Sequence, residues 1–367
     1  MNKERESNIE LLRILAMLGI VIYHLYLHCV DAQLNDGTNN LFNNPVFYKQ
    51  LLVLATMSPL GKIGDVIFIV ISGYFMVERK YINLAKISKK LLLQLGFVSG
   101  GLVVGSFVLY KTVGSVLVPL FSVNVFNEGP WFIGYYFIVI TIASLYLNRY
   151  LIELDREKYL TLLLVLVAIT QFGFSRILFE NISSNLFIII IGIFLYALGG
   201  FIRRFNPFGK IKTSVLIIVI FMSLLLIWLS AYNQINYDIQ IYNGNESFKQ
   251  NILKYSDYNF IPILFGTTVF ELFRRIDVKK NKVINFIGGG TLMVYLIHGN
   301  ALCYTFWWTQ DWIQLLYDCP CLYVFKHVMW SVFTFAVGII AYCCYCCLSM
   351  IIPKLKVIIE FNENKAL

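Results

Sequence analysis

The chain alternates apolar runs of about 15 to 25 residues with short polar connectors, and each run is roughly long enough to cross a hydrocarbon core of about 30 Å as a helix. Ten runs stand out, at about 8–28, 50–77, 91–110, 131–148, 159–174, 186–202, 213–231, 259–273, 286–305 and 323–348. The pattern predicts an all-α polytopic membrane protein, a bundle of about ten transmembrane helices. A single membrane domain is expected over residues 1–352, followed by a short cytosolic tail at 353–367.

Composition agrees with the pattern. Of the 367 residues, 58% are hydrophobic and 14% charged, and the mean hydropathy of +0.70 exceeds what a soluble core requires. In a soluble protein the formal charge of +9 would suggest nucleic acid. Here it follows the connectors instead, so membrane lipids are the expected partners and nucleic acid is not. Most Lys and Arg fall in alternate connectors, leaving Lys49, Lys111, Arg176, Lys249, Lys254 and Lys326 on the opposite side. The positive-inside rule then favours an even number of spans with both termini in the cytosol. An additional re-entrant segment around 114–129 is compatible with this topology. The first run has a charged start, as a signal peptide would, but Arg13 interrupts it and no small-residue cleavage site follows, so it is read as an uncleaved helix.

Polar stretches at 29–48 and 232–258, rich in Asn, Tyr and Gln, fall outside and leave room for a large polar acceptor. The eight cysteines have no zinc spacing. Cys343, Cys344, Cys346 and Cys347 are read as small packing residues, with reversible acylation as the alternative, while Cys319 and Cys321 are candidates to pair with Cys303 or Cys29.

The first run holds the most informative chemistry. On a helix, residues eleven apart are separated by three turns plus about 20° and by roughly 16.5 Å along the axis. Arg13 and His24 therefore share a face, His28 lies one turn beyond, and Glu10 stands at the i,i+3 spacing that permits an ion pair with Arg13. Ionisable residues inside a membrane span usually face a bundle interior or an aqueous cavity. An imidazole can accept a proton from an alcohol and pass it to a leaving group near neutral pH. A guanidinium can hold a phosphate. Together they point to group transfer across the bilayer, although proton-coupled transport would use the same residue types.

Four blocks narrow the choice. "NIELLRILAM" carries Glu10 and Arg13 with His24 eleven residues after the Arg; "GKIGDVIFIVISGYFM" runs from Gly61 to Met76; "GPWFIGYYFIVI" opens a later span; and "VYLIHGNAL" places His298 in a late one. In this order they resemble the signature of the acyltransferase-3 family of integral membrane acyltransferases, in the style of the branch found in Gram-positive capsule and exopolysaccharide clusters. The resemblance implies acyl-CoA, usually acetyl-CoA, as donor substrate at the cytosolic face, with no permanently bound cofactor. It implies an extracytoplasmic polysaccharide or lipid-linked sugar as acceptor. Some relatives carry a fused extracytoplasmic hydrolase-like domain, which the 367 residues lack; the protein is expected to acylate the acceptor itself or to hand the group to a separate extracytoplasmic transferase.

Under that resemblance His24 is the catalytic candidate, as general base or transient acyl carrier, with Arg13 and Glu10 orienting the donor. Arg79, Lys80, Lys89 and Lys90 follow the second span on the side where the coenzyme A nucleotide would dock, with membrane anchoring as their alternative. Ser72 and Gly73 are placed near the donor path or in close helix packing. Trp131 and Tyr135 fit a sugar platform or an aromatic belt. His298, near the middle of its span, is assigned a contact to substrate or within the bundle, and His327 is expected at the interface. His24 and His28 could share a metal but no third ligand stands beside them, so no metal site is expected. The strongest competing function is a polysaccharide transporter or flippase, for which a Tyr-rich bundle with basic inner connectors is also typical, although no internal repeat suggests one built from duplicated halves; a glycan polymerase is the second, for which the 232–258 loop has Asp238 and Asp257 but lacks Arg.

Overall fold

The computed structural model describes residues 6–31, 45–55, 57–79, 81–113, 131–172, 184–241 and 259–366. The stretch at 114–129, Lys80 and residues 242–258 lie outside the described residues. Everything regular among the described residues is helical. In chain order the helices are α1 Ser7–Leu25, α2 Pro45–Gln50, α3 Leu52–Ala55, α4 Leu60–Met76, α5 Leu84–Val113, α6 Trp131–Ile142, α7 Asn148–Glu153, α8 Arg156–Gln171, α9 Ser184–Phe205, α10 Thr213–Ile241, α11 Phe260–Arg275, α12 Lys282–Gly289, α13 Thr291–His298, α14 Ala301–Trp307, α15 Trp312–Asp318 and α16 Pro320–Ala366. Wider i→i+5 turns extend α1 through Tyr26–Asp31 and join α6 to α7 through Ala143–Leu147.

Six helical stretches among the described residues are long and apolar enough to cross a membrane: Ser7–Val30, Leu84–Val108, Trp131–Glu153, Leu186–Phe205, Thr213–Tyr237 and Pro320–Ile351. Helices α4, α8 and α11 stand where three further runs were expected but have only 17, 16 and 16 residues. The expected span 286–305 is corrected. It is broken at Gly290 and again at Gly299–Asn300, so that α12 and α13 together bend by 78° into the segment Leu302–Asp318. The expected run 50–77 is likewise shortened, because Pro59 precedes the first turn of α4. The expected domain boundary near 352 falls inside α16, which continues to Ala366.

Local starts are set by side-chain caps. Asp155, Asn281, Asn300 and Asp311 accept backbone N–H groups at the starts of α8, α12, α14 and α15. At the exposed α8 start, the Lys158 N–H and side chain hold the Asp155 carboxylate below its usual range.

Helix α4 is the hub. It is buried over most of its length and packs against α1, α9 and α11. The contact with α9 is backbone to backbone: a methyl at Gly73 would stand 2.8 Å from the Tyr196 carbonyl carbon, and one at Gly199 would stand 2.9 Å from Tyr74 N. Small residues that admit such an approach are a device of membrane helix packing. Helix α1 bridges two cores, with Ile9, Leu12 and Ala16 in the one built around α4 and α9, and Met17, Ile20, Val21 and Leu25 in another shared with α14, α15 and α16. Helices α5, α10 and α16 carry exposed apolar faces, including Phe107, Phe221, Leu225, Phe325 and Ile340, as lipid-facing surfaces require.

At one end of α4 and α11 the fold is tied by charge. The fully buried Glu271 carboxylate accepts Arg274 Nε at 2.7 Å and Arg275 Nε at 2.7 Å. Arg274 also reaches Asn206 Oδ1, and Arg275 donates to the carbonyls of Phe208 and Ile211, so one carboxylate pins the connector between α9 and α10.

Candidate active site

The site is assembled where α1 and α4 lie antiparallel and α13 packs against α1. Antiparallel order follows from the glycines of α4: Gly61 abuts the Tyr23 ring, while Gly64 abuts Ala16 and Ile20. Beside Arg13 and Met17 this leaves an opening bounded by α4, α5, α6 and α13.

A cavity of about 300 Å3 occupies that opening. Arg13 and Met17 contribute from α1; Phe68, Ile71, Ser72, Phe75 and Met76 from α4; Ile87, Lys90 and Leu91 from α5; Phe132, Ile133 and Tyr136 from α6; and Thr291, Leu292 and Tyr295 from α13. The wall is mostly apolar with two cations on it. Arg13 is held by Glu10 at 3.2 and 3.3 Å and lies over the Phe68 ring at 5.8 Å. Glu10 is itself buried and backed by α12, where a methyl at Gly288 would stand 2.9 Å from its Cβ.

His24 lies beyond the cavity along the same helix and meets His298 edge to edge, with Nδ1 and Nε2 2.6 Å apart, the ring centroids 4.9 Å apart and the ring planes inclined by 28°. His298 is completely buried, and its Nδ1 is 2.8 Å from the Val294 carbonyl oxygen. The correction to its expected mid-span position follows from the broken span: it is the last residue of α13, next to the break, where a side chain can turn across to α1. Tyr295 links the pair to the cavity. It lines the cavity wall, its ring is 5.6 Å from that of His298, and its hydroxyl accepts the Phe132 N–H at 3.2 Å.

The remaining expected residues take distinct places. Ser72 lines the cavity and donates back to the Phe68 carbonyl at 2.9 Å. Gly73 faces the α9 backbone, and Tyr135 is buried against Gly192 of α9, whereas its neighbour Tyr136 faces the cavity. Trp131 is 43% exposed, and its ring carries the Lys62 ammonium at 5.0 Å. Of the basic residues after α4, Lys90 reaches the cavity, Lys89 is exposed, and Arg79 is exposed with its guanidinium on the Phe75 carbonyl.

His28 stacks on Tyr304 at 4.1 Å. His327 is fully buried within the bundle: its Nε2 donates to the Ile22 carbonyl at 2.9 Å while Nδ1 accepts from the Tyr323 hydroxyl at 3.0 Å. All eight cysteines are free thiols, so the expected pairing of Cys319 or Cys321 is not formed.

Sequence reasoning missed three contributors. Lys62 pairs with Asp65 at 3.9 Å near the His24 end of α1; both stand in a block singled out for its glycines. Tyr295 sits in the block that placed His298. Gly288 belongs to a Gly-Gly-Gly run, a signal that was available but unused.

These features define a class: an integral membrane protein, crossing the bilayer several times, whose interior joins a cation-lined apolar cavity to a histidine pair. A family model described as an acyltransferase domain matches residues 6–353. The chain belongs to the acyltransferase-3 family, and acyl transfer is its chemistry. No curated protein and no solved structure gives a significant match to it.

Proposed function

We propose that the protein moves an acetyl group from acetyl-CoA at the cytosolic face to a hydroxyl of an extracytoplasmic polysaccharide or lipid-linked sugar. The setting is the bacterial plasma membrane, crossed about ten times with both termini cytosolic. The observation that carries this reading is that Tyr295 lines the apolar cavity holding Arg13 and Lys90 and also stands against His298, the partner of His24. An apolar passage with cations on its wall suits the pantetheine arm of an acyl-CoA and its phosphates, and the cavity lies at the lower end of the usual size for small-molecule sites.

His24 reacts by one of two routes. As general base it removes the acceptor hydroxyl proton while the oxygen attacks the thioester carbonyl; the C–S bond then breaks and the proton passes to the sulfur. As acyl carrier its lone-pair nitrogen forms the new C–N bond, the C–S bond breaks and coenzyme A leaves as the thiol with the proton the ring gives up; the acceptor oxygen then takes the acetyl group as the C–N bond breaks, its hydroxyl proton returning to the ring. Arg13, steadied by Glu10, neutralises donor phosphate in both routes. A separate extracytoplasmic transferase enters only if the acetyl group is handed on.

The test uses proteoliposomes with acetyl-labelled coenzyme A inside and a mixed glycan and lipid-linked sugar pool outside. Base-labile label should appear on the outer sugars and fall by about 100-fold or more in His24→Ala. Equal label in both proteins removes His24 as catalyst. Sugar flux without label would instead indicate a transporter.

A further inference from the structure

The two histidines define a directed chain of hydrogen bonds. The Val294 carbonyl can only accept, so His298 Nδ1, 2.8 Å away, carries a proton. An uncompensated charge is costly in the interior, and His298 is completely buried, so the ring is neutral and its Nε2 holds a lone pair. His24 Nδ1, 2.6 Å from that lone pair, must therefore be the donor. With the His24 ring neutral, as a base or nucleophile must be, its lone pair lies on Nε2, which makes no hydrogen bond to any described residue.

We propose that His298 is the positioning residue of this enzyme, holding His24 in the Nδ1–H tautomer so that Nε2 is the reacting nitrogen. The inference rests on His24 being the reacting imidazole, as proposed above. It assigns His298 a task that contact with substrate would not require: its Nε2 is committed to His24 and its Nδ1 to Val294. A second group that fixes the tautomer of a catalytic histidine is a general requirement of such sites. When His24 Nε2 takes the acceptor proton the ring becomes imidazolium, and its Nδ1–H bond to His298 strengthens. When the tetrahedral adduct collapses, the Nε2 proton goes to the coenzyme A sulfur and the original tautomer is restored. His298 keeps its own proton throughout.

Diethyl pyrocarbonate tests this without knowledge of the acceptor, because it carbethoxylates the lone-pair nitrogen of a neutral imidazole. The Nε2–C bond forms, ethyl carbonate leaves as ethanol and carbon dioxide, and the ring gives up its Nδ1 proton. The rate and position of His24 modification would be read by mass spectrometry and NMR on reconstituted full-length protein. Thermal unfolding would be followed in parallel for wild type, His298→Gln and His298→Leu. Gln offers an amide N–H to the Val294 carbonyl and an oxygen to His24 Nδ1–H, whereas Leu offers neither.

We expect modification at Nε2 in wild type, near-wild-type rate and position with Gln, and a rate lower by about tenfold or more with Leu, at unfolding temperatures that do not follow the same order. Equal rates for Leu and wild type, absence of Nε2 modification in wild type, or a Gln variant as slow as Leu would each overturn the proposal. The underlying reading fails separately: if this order holds while His24→Ala still transfers acetyl groups, His298 sets the tautomer of a histidine that is not the catalyst.

Discussion

Gly288→Ala should impair use of the acyl donor although the residue touches no donor in any reading of the site. Its hydrogen stands against Glu10, and an added methyl would lie 2.9 Å from Glu10 Cβ and 3.1 Å from its carboxylate carbon, where ordinary contact begins at 3.4 Å. The carboxylate can swing away, but Cβ moves only with α1, so α1 and α12 must separate by a few tenths of an ångström or the carboxylate must abandon Arg13. The Arg13–Glu10 contacts, at 3.2 and 3.3 Å, have little margin. A charged hydrogen bond is worth about 1.5 to 3 kcal/mol, and the 29% exposure of the Arg13 side chain reduces this to about 1 to 2 kcal/mol. If Arg13 holds donor phosphate, the KM for acetyl-CoA should rise about five- to thirtyfold with a smaller change in kcat. Initial rates against acetyl-CoA concentration in proteoliposomes measure this, and a Glu10→Ala background completes the cycle. There the substitution should be nearly silent on KM. An unchanged KM in folded Gly288→Ala protein, or an equal effect with and without the Glu10 carboxylate, would refute the reasoning.

Two further substitutions probe the scaffold. Gly73→Ala should destabilise the bundle by about 2 to 3 kcal/mol, because its methyl meets backbone atoms of Tyr196 that cannot move aside; thermal unfolding in detergent should fall while the donor KM of surviving protein stays near wild type, and a selective KM effect would return Gly73 to the substrate site. Glu271→Gln should cost about 3 kcal/mol by leaving Arg274 and Arg275 without their shared anion, and proteolysis within 206–211 should accelerate; an unchanged cleavage rate would mean that the carboxylate does not pin that connector.

Much of this architecture was legible because a membrane span announces itself by length and apolarity alone. The Arg13–His24 stripe was legible because α1 is regular from Ser7 to Leu25, which lets simple helical arithmetic hold. What escaped depends on neighbours and not on depth. A twenty-residue window averages over Gly299 and Asn300, so the break that brings His298 to α1 was lost in the mean. The burial of His327 was not legible either, because it depends on α16 pressing that turn against the Ile22 carbonyl, a polar partner that makes burial affordable. Gly288 and Lys62 escaped for a related reason: each acts through what lies opposite on another helix.

The partners of α1 arrive late in synthesis. His24 meets His298 across 274 positions, Ser7 meets Asn285 across 278, and Ile22 meets His327 across 305. At about 5 to 20 residues per second, the first helix waits roughly 14 to 55 s after His24 is made before His298 is joined to the chain. During that interval its imidazoles stand beside helices already made, α4 and α11 among them, but without α13, so the ribosome-bound intermediate has a polar stripe awaiting its cover. The His24–His298 contact is thereby reserved for a chain that is four-fifths complete or more, and every shorter copy carries a first helix without its imidazole partner.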